Sequence, residues 1–92
     1  MALQILEQNG TFYLKGKLNT STSKVFIEHL KHSIKKIKKV IINIENLKEI
    51  DVDGLKALNF LMNTSIVKKK IFSIRGYGCK EIYDHFNSSQ IA

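Results

Sequence analysis

The stretch Glu49-Ile50-Asp51-Val52-Asp53-Gly54-Leu55 decides how the rest of the chain is read. Just before it, Val40-Ile41-Ile42-Asn43-Ile44 is so dense in β-branched residues that it reads as a strand buried on both faces. After it, Leu55, Leu58, Leu61, Met62 and Ile66 recur at three- and four-residue steps, which places them on one side of a helix able to pack on a sheet. The acidic stretch is therefore a strand-to-helix turn. Asp51 and Asp53 both suit its N-cap, because a carboxylate accepts from the free amides of the first helical turn and sits well at the positive end of the helix dipole. Loops at the carboxyl ends of central strands are where open α/β sheets bind their ligands.

Working outward toward the N-terminus, Leu3 to Glu7 and Thr11 to Lys15 are short alternating runs separated by Gln8-Asn9-Gly10. Asn-Gly is a strong signal for a tight turn, so the chain opens on an antiparallel hairpin. Thr20 to Ser23 supplies hydroxyls able to cap the next helix, which runs to about Ile37. Phe26, Ile27, Leu30, Ile34 and Ile37 share one of its faces, while Glu28, His32, Lys35, Lys36 and Lys39 lie opposite. Toward the C-terminus, Lys68-Lys69-Lys70 closes the second helix, where cations suit the negative dipole end. Ile71 to Arg75 is a further strand, and Gly76-Tyr77-Gly78 leads into a last helix with Cys79, Ile82, Tyr83 and Phe86 on one side. Asn87 to Ala92 reads as a fraying tail. The fold class is α/β: one domain over residues 1–92, with order β-β-α-β-α-β-α, a small mixed sheet, and crossover helices that make the later strands parallel.

Composition narrows the function classes. With 92 residues, 43% of them apolar, the chain can bury one core but is too short for a cleft between two lobes. No apolar run approaches the ~20 residues of a membrane span, and Met1-Ala2-Leu3-Gln4 lacks the layout of a signal peptide, so a cytoplasmic protein is expected. A lone cysteine agrees with a reducing compartment. The net charge of +7 permits an acidic partner, nucleic acid or an anionic membrane.

Taken in order, Leu14-Lys15-Gly16-Lys17-Leu18-Asn19, the strand Val40 to Ile44, the turn Ile50-Asp51-Val52-Asp53-Gly54-Leu55 and Arg75-Gly76 resemble the STAS domain, the family of sulfate-transporter and anti-sigma-factor-antagonist modules. The most specific part is Ile50-Asp51-x-x-Gly54-Leu55, which is similar to the family's Asp-Ser-Ser-Gly-Leu turn. The resemblance implies a non-enzymatic module of bacterial-type signalling and transcription regulation. Its implied partner is a protein, an anti-sigma factor or histidine-kinase-like protein, with a subunit role in a transport or stress-sensing assembly as the alternative. The chain departs from the family where Val52 and Asp53 occupy the two hydroxyl positions, where Asn19 replaces a common Asp, and where the final strand and helix of longer members are missing. At the position that a partner kinase would phosphorylate stands Asp53, so the usual switch is expected to be absent. Asp53 reads either as a fixed mimic of phosphoserine or as a helix cap alone.

On the second helix Lys56, Phe60, Asn63 and Val67 lie opposite the apolar stripe, and large apolar groups exposed together mark interfaces. The resemblance implies that this helix and the turn before it form the partner-binding surface. The competing reading has a neighbouring helix covering Phe60. Cys79 near a helix start reads as a buried thiol, and His29 with His32 as a solvated pair, since no third or fourth metal ligand can be named. No dinucleotide fingerprint, P-loop, nucleophile elbow or catalytic constellation is present, and no cofactor is implied. Nucleic-acid or anionic-lipid binding through the lysine-rich first helix, with Lys35, Lys36, Lys38 and Lys39, is the alternative of a different class. Nucleic acid is disfavoured there because no aromatic stacking platform accompanies the lysines.

Overall fold

Asn9 and Gly10 both adopt positive φ, 52° and 84°, the pair of conformations that lets a two-residue turn follow the twist of its flanking strands. The hairpin they close joins β1 (Leu3–Gln8) to β2 (Thr11–Leu18), paired antiparallel from Gln8 with Thr11 to Leu3 with Gly16. The chain continues through α1 (Ser23–Ile34), β3 (Lys39–Ile50), α2 (Val52–Val67) and β4 (Ile71–Arg75). This computed structural model describes residues 3–78 together with Ile82 and Asp84, both helical. Cys79, Tyr83 and Phe86 of the expected last helix and the expected tail at 87–92 lie outside the described residues.

The strands lie in the order β1-β2-β3-β4, with β3 parallel to both of its neighbours, as the crossover helices require. Phe12, Leu14, Val40, Ile42 and Ile44 of the sheet are buried against Phe26, Leu30 and Ile34 of α1, Ala57, Leu58 and Leu61 of α2, and Ile82. Ile41 and Asn43, on the other face of β3, are only half-buried. The strand is thus covered completely on one face, not on both as its β-branched density suggested.

The length of β3 is a second correction. It runs to Ile50 rather than stopping at Ile44, because its pairing with β2 continues from Lys15 with Asn46 to Leu18 with Ile50. Two register shifts, between Tyr13 and Lys15 and between Gly16 and Lys17, each insert an extra residue on β3. Each bulge reverses the inward parity. The buried series is therefore Val40, Ile42, Ile44 and then Leu47, with Ile50 half-buried. Polar Glu45, Asn46, Lys48 and Glu49 hide a strand whose alternation has been broken twice.

Helix ends also differ from expectation. α1 stops at Ile34, and the ammonium of Lys70 donates to the carbonyls of Ile34 and Ile37, far along the chain. Its start is organised by Asn19, whose side-chain oxygen accepts from the amides of Ser21 (2.9 Å) and Thr22 (3.2 Å). Thr22, at the cap position, makes no side-chain cap bond and donates its hydroxyl to the Lys17 carbonyl instead. α2 closes in a Schellman turn: the Lys70 amide donates to Ser65 and the Lys69 amide to Ile66, with Lys69 at φ 60°. The three lysines after α2 therefore do separate work, with Lys70 serving the end of α1. α2 is also rotated from the face its leucines suggested. Gly54, Ala57, Leu58, Leu61 and Ser65 are buried, Leu55 and Met62 half-buried, and Ile66 is 60% exposed.

Candidate functional site

The site begins where β3 runs into α2. The Asp51 amide donates to the Leu18 carbonyl (3.2 Å), which ties the end of β3 to the end of β2. Gly54 then brings the first turn of α2 down onto the same carbonyl: a Cβ at position 54 would lie 2.3 Å from the Leu18 oxygen and 2.7 Å from Cγ1 of Ile50. A bare backbone is what this close approach needs.

Of the two cap candidates, Asp51 takes the role. Its Oδ1 accepts from the Gly54 amide at 2.9 Å, while Asp53 lies inside the first turn. Asp53 is held from elsewhere. The Thr20 hydroxyl, in the β2–α1 loop, lies 2.7 Å from Oδ2 of Asp53 and 3.1 Å from Oδ2 of Asp51, and the Thr20 amide donates to that same Asp51 oxygen at 3.0 Å. A hydroxyl has one proton, so Thr20 donates to one carboxylate at a time and keeps the pair bridged. Sequence reasoning had Thr20 only as a potential cap for α1. Its partners are 31 and 33 residues away, and no local pattern announces them.

The Gly54 amide is the main reason the Asp51 carboxyl lies below its usual pKa of 3.8; loss of hydration, the next largest effect, opposes it, and the amide and hydroxyl of Thr20 each lower it further by less. A depressed folded-state pKa contributes stability that is complete above the ordinary carboxylate range and is lost as pH falls through the folded value. The acid limb of a melting-temperature profile should accordingly be flatter for Asp51→Asn than for the native chain, with the two curves separating above about pH 4 and converging below it. Parallel curves would show that the cap charge does not participate.

Beyond the turn, Val52, Lys56, Phe60, Asn63 and Val67 follow one another at steps of four, four, three and four residues and form one outward stripe of α2. Phe60 is 44% exposed and Val67 80%, so neither α1 nor any other described element covers them. A shallow depression of about 240 Å³ lies beside them, lined by Phe60, Asn63, Thr64, Val67 and Lys68. Val52, at 65% exposure, carries the stripe to the turn beside Asp51 and Asp53. Chemically this is an apolar strip with a lysine and an amide, ending in two carboxylates. His29 and His32 are exposed on α1, and no cluster of three or more metal-ligand side chains occurs among the described residues. No helix among the described residues is long and apolar enough to cross a membrane.

Comparison with known proteins places this geometry. No curated protein matches the chain significantly in sequence. Among solved structures, the anti-sigma factor antagonist SpoIIAA in its unphosphorylated form superposes with a TM-score of 0.72 at 17% identity, covering 98% of this chain and 82% of that one. The phosphorylated form of the Bacillus cell fate determinant SpoIIAA gives 0.75 at 17% identity over 96% of this chain and 83% of its own. An anti-sigma factor antagonist from Mycobacterium paratuberculosis gives 0.68 at 12% identity over 97% and 79%. At these identities the likeness establishes the fold. The family model of the STAS domain matches residues 1–74, from β1 to the end of β4 bar one residue, and the chain belongs to the STAS domain family.

Proposed function

We propose that this protein is a non-enzymatic, cytoplasmic regulatory module that binds a protein partner, of the anti-sigma-factor or histidine-kinase-like kind, through the α2 stripe and the turn before it. The observation that carries the reading is the run of exposed side chains Val52, Lys56, Phe60, Asn63 and Val67 leading directly from the carboxylate turn. An aromatic ring in a shallow apolar strip is the usual form of an interface anchor, and charge at the rim sets partner choice. The turn offers no hydroxyl where the family's kinase substrate carries one: Val52 and Asp53 stand there, and Asp53 is engaged by Thr20. Its carboxylate supplies a permanent charge of about −1, less than the −1.5 to −2 of a phosphate. The module accordingly works without phosphorylation of this turn, either against a partner with a Lys or Arg opposite Asp53 or in a transport or stress-sensing assembly.

The experiment is capture of the partner from native lysate, followed by titration of that partner with three forms of the protein. Phe60→Glu is expected to weaken binding roughly 30-fold or more, the loss of a hot-spot anchor, while the melting temperature stays close to native. Asp53→Ser removes the charge but keeps the Asp51 cap. It should weaken binding roughly fivefold if a cation faces Asp53, and the native turn should take up no phosphate from a family kinase and ATP. Unchanged affinity for Phe60→Glu, phosphate found at the native turn, or a complex that tightens with Asp53→Ser would count against the proposal.

A further inference from the structure

The parallel pairing of β2, β3 and β4 brings the starts of those strands and the ends of both helices to the same edge of the molecule, opposite the carboxylate turn. Lys39 pairs with Ile71, the Ile71 amide donates to the Lys38 carbonyl at 3.0 Å, and the Lys70 ammonium ties the end of α1 to the segment after α2. Residues 34–39 and 66–71 are thereby held side by side. They present Lys35, Lys36, Lys38, Lys39, Lys68 and Lys69, all exposed, and none is within ion-pair distance of a carboxylate among the described residues. Asp53 lies sixteen residues before Lys69, about 24 Å along the α2 axis, while Glu28 is about 10 Å of helix before Lys35. Glu7, paired with Phe12 near the start of β2, is also at this edge, but on the outer strand β1, two strands from β3. Among the described residues the charge of this end is predominantly positive, its six lysines outweighing Glu7.

Immediately flanking Lys68-Lys69-Lys70 in the chain are three exposed aliphatic side chains: Ile66 at 60%, Val67 at 80% and Ile71 at 62%. Two of them, Ile66 and Ile71, have no place in the α2 stripe. We infer that this lysine-rich end, together with the exposed Ile66 and Ile71 that flank Lys68-Lys69-Lys70 in the chain, is a docking surface for an anionic lipid bilayer. The charge complementarity is that of a polybasic segment facing acidic headgroups, where each lysine near the surface strengthens binding roughly fivefold. The aliphatic groups decide between polyanions. A phosphodiester backbone has no use for exposed isoleucines, whereas the acyl boundary of a membrane takes them up. Nor, among the described residues, does the end carry arginine forks or exposed aromatic rings for base recognition. A module docked this way would turn its carboxylate turn, at the opposite edge, toward the cell interior.

The test is co-sedimentation of the 92-residue chain with vesicles of phosphatidylcholine carrying roughly a third phosphatidylserine, at about 0.15 M salt. Pure phosphatidylcholine vesicles and duplex DNA at the same salt serve as comparators. Binding to the anionic vesicles alone is expected. Lys36→Glu/Lys69→Glu should weaken it roughly 25-fold or more, and Ile66→Ser/Ile71→Ser about fivefold or more. Both pairs are exposed, so melting temperatures should stay near native. Should the isoleucine pair fail to fold, Ile66→Ser alone carries the same comparison with a smaller effect. Four results would overturn the inference: no sedimentation with anionic vesicles, equal sedimentation with neutral ones, binding to duplex DNA as tight as to anionic vesicles, or indifference to the isoleucine changes.

Discussion

Gly54→Ala is expected to lower the melting temperature by roughly 12–24 °C, the equivalent of about 3 kcal/mol in a domain of this size. Two effects of opposite sign compete. Alanine is the better helix former by up to ~1 kcal/mol, and at an exposed helical position the change would stabilise. Here the new Cβ would lie 2.3 Å from the Leu18 carbonyl oxygen, an atom of the sheet backbone that has no rotamer with which to move aside. Either α2 lifts off the end of β2 or β2 shifts, and both loosen the Asp51–Leu18 and Asp51–Gly54 hydrogen bonds. Overpacking of this kind costs typically ~1–3 kcal/mol, at the upper end where backbone opposes the insertion. Because the total stability of a chain this long is about 5–14 kcal/mol, the variant should remain folded and measurable. A fall of less than about 4 °C would show that the helix start has room to move. The proposed partner binding through the turn should weaken in parallel, since the Thr20 bridge depends on the same seating.

Leu61→Ala against Ile66→Ala distinguishes two orientations of α2. The leucine periodicity puts Leu61 and Ile66 on the same buried side. In the structure Leu61 is 0% exposed, whereas Ile66 is 60% exposed. Truncating Leu61 removes buried methyl groups and leaves a cavity in a core that includes Leu58, Phe26, Leu30 and Ile42, so a loss of about 2–5 kcal/mol is expected. For Ile66→Ala the loss should stay below ~1 kcal/mol, because little apolar area leaves water there on folding. Urea denaturation of the two variants measures the contrast. Equal losses would mean that α2 packs as its leucines alone suggest. The buried positions overlooked by that pattern are Gly54, Ala57 and Ser65, small residues that let the helix axis come close to its neighbours. Ser65 remains compatible with burial because its hydroxyl donates to the Leu61 carbonyl at 2.8 Å.

The turn was the most legible part of the candidate site. Asp51, Asp53 and Gly54 fall within four residues where β3 runs into α2, and the physics of caps and dipoles acts over the same few residues, so the chain states it locally. The outward position of Lys56, Phe60, Asn63 and Val67 was legible for the same reason, since helical periodicity separates them from Leu58 and Leu61 whatever covers the helix. The exposure of Phe60 was not legible, because it depends on where α1 lies.

By itself, then, the sequence determined what is encoded at short range: the Asn9-Gly10 turn, the alternation of strands with amphipathic helices, the parallel crossovers, and an α2 N-terminus marked by two carboxylates and a glycine. Tertiary structure alone decided the rest. β3 extends six residues beyond Ile44, to Ile50, because two bulges let it keep pairing with β2, and bulges follow from the partner strand rather than from the alternation of their own. Thr20 belongs to the Asp51 and Asp53 cluster because parallel strands bring the ends of β2 and β3 together across more than thirty residues. Lys70 serves the end of α1, and the lysines of two separate segments form one charged edge, for the same geometric reason: hydrogen bonds and charges act through distance in space, and a linear pattern records that distance only within a turn or a strand pair.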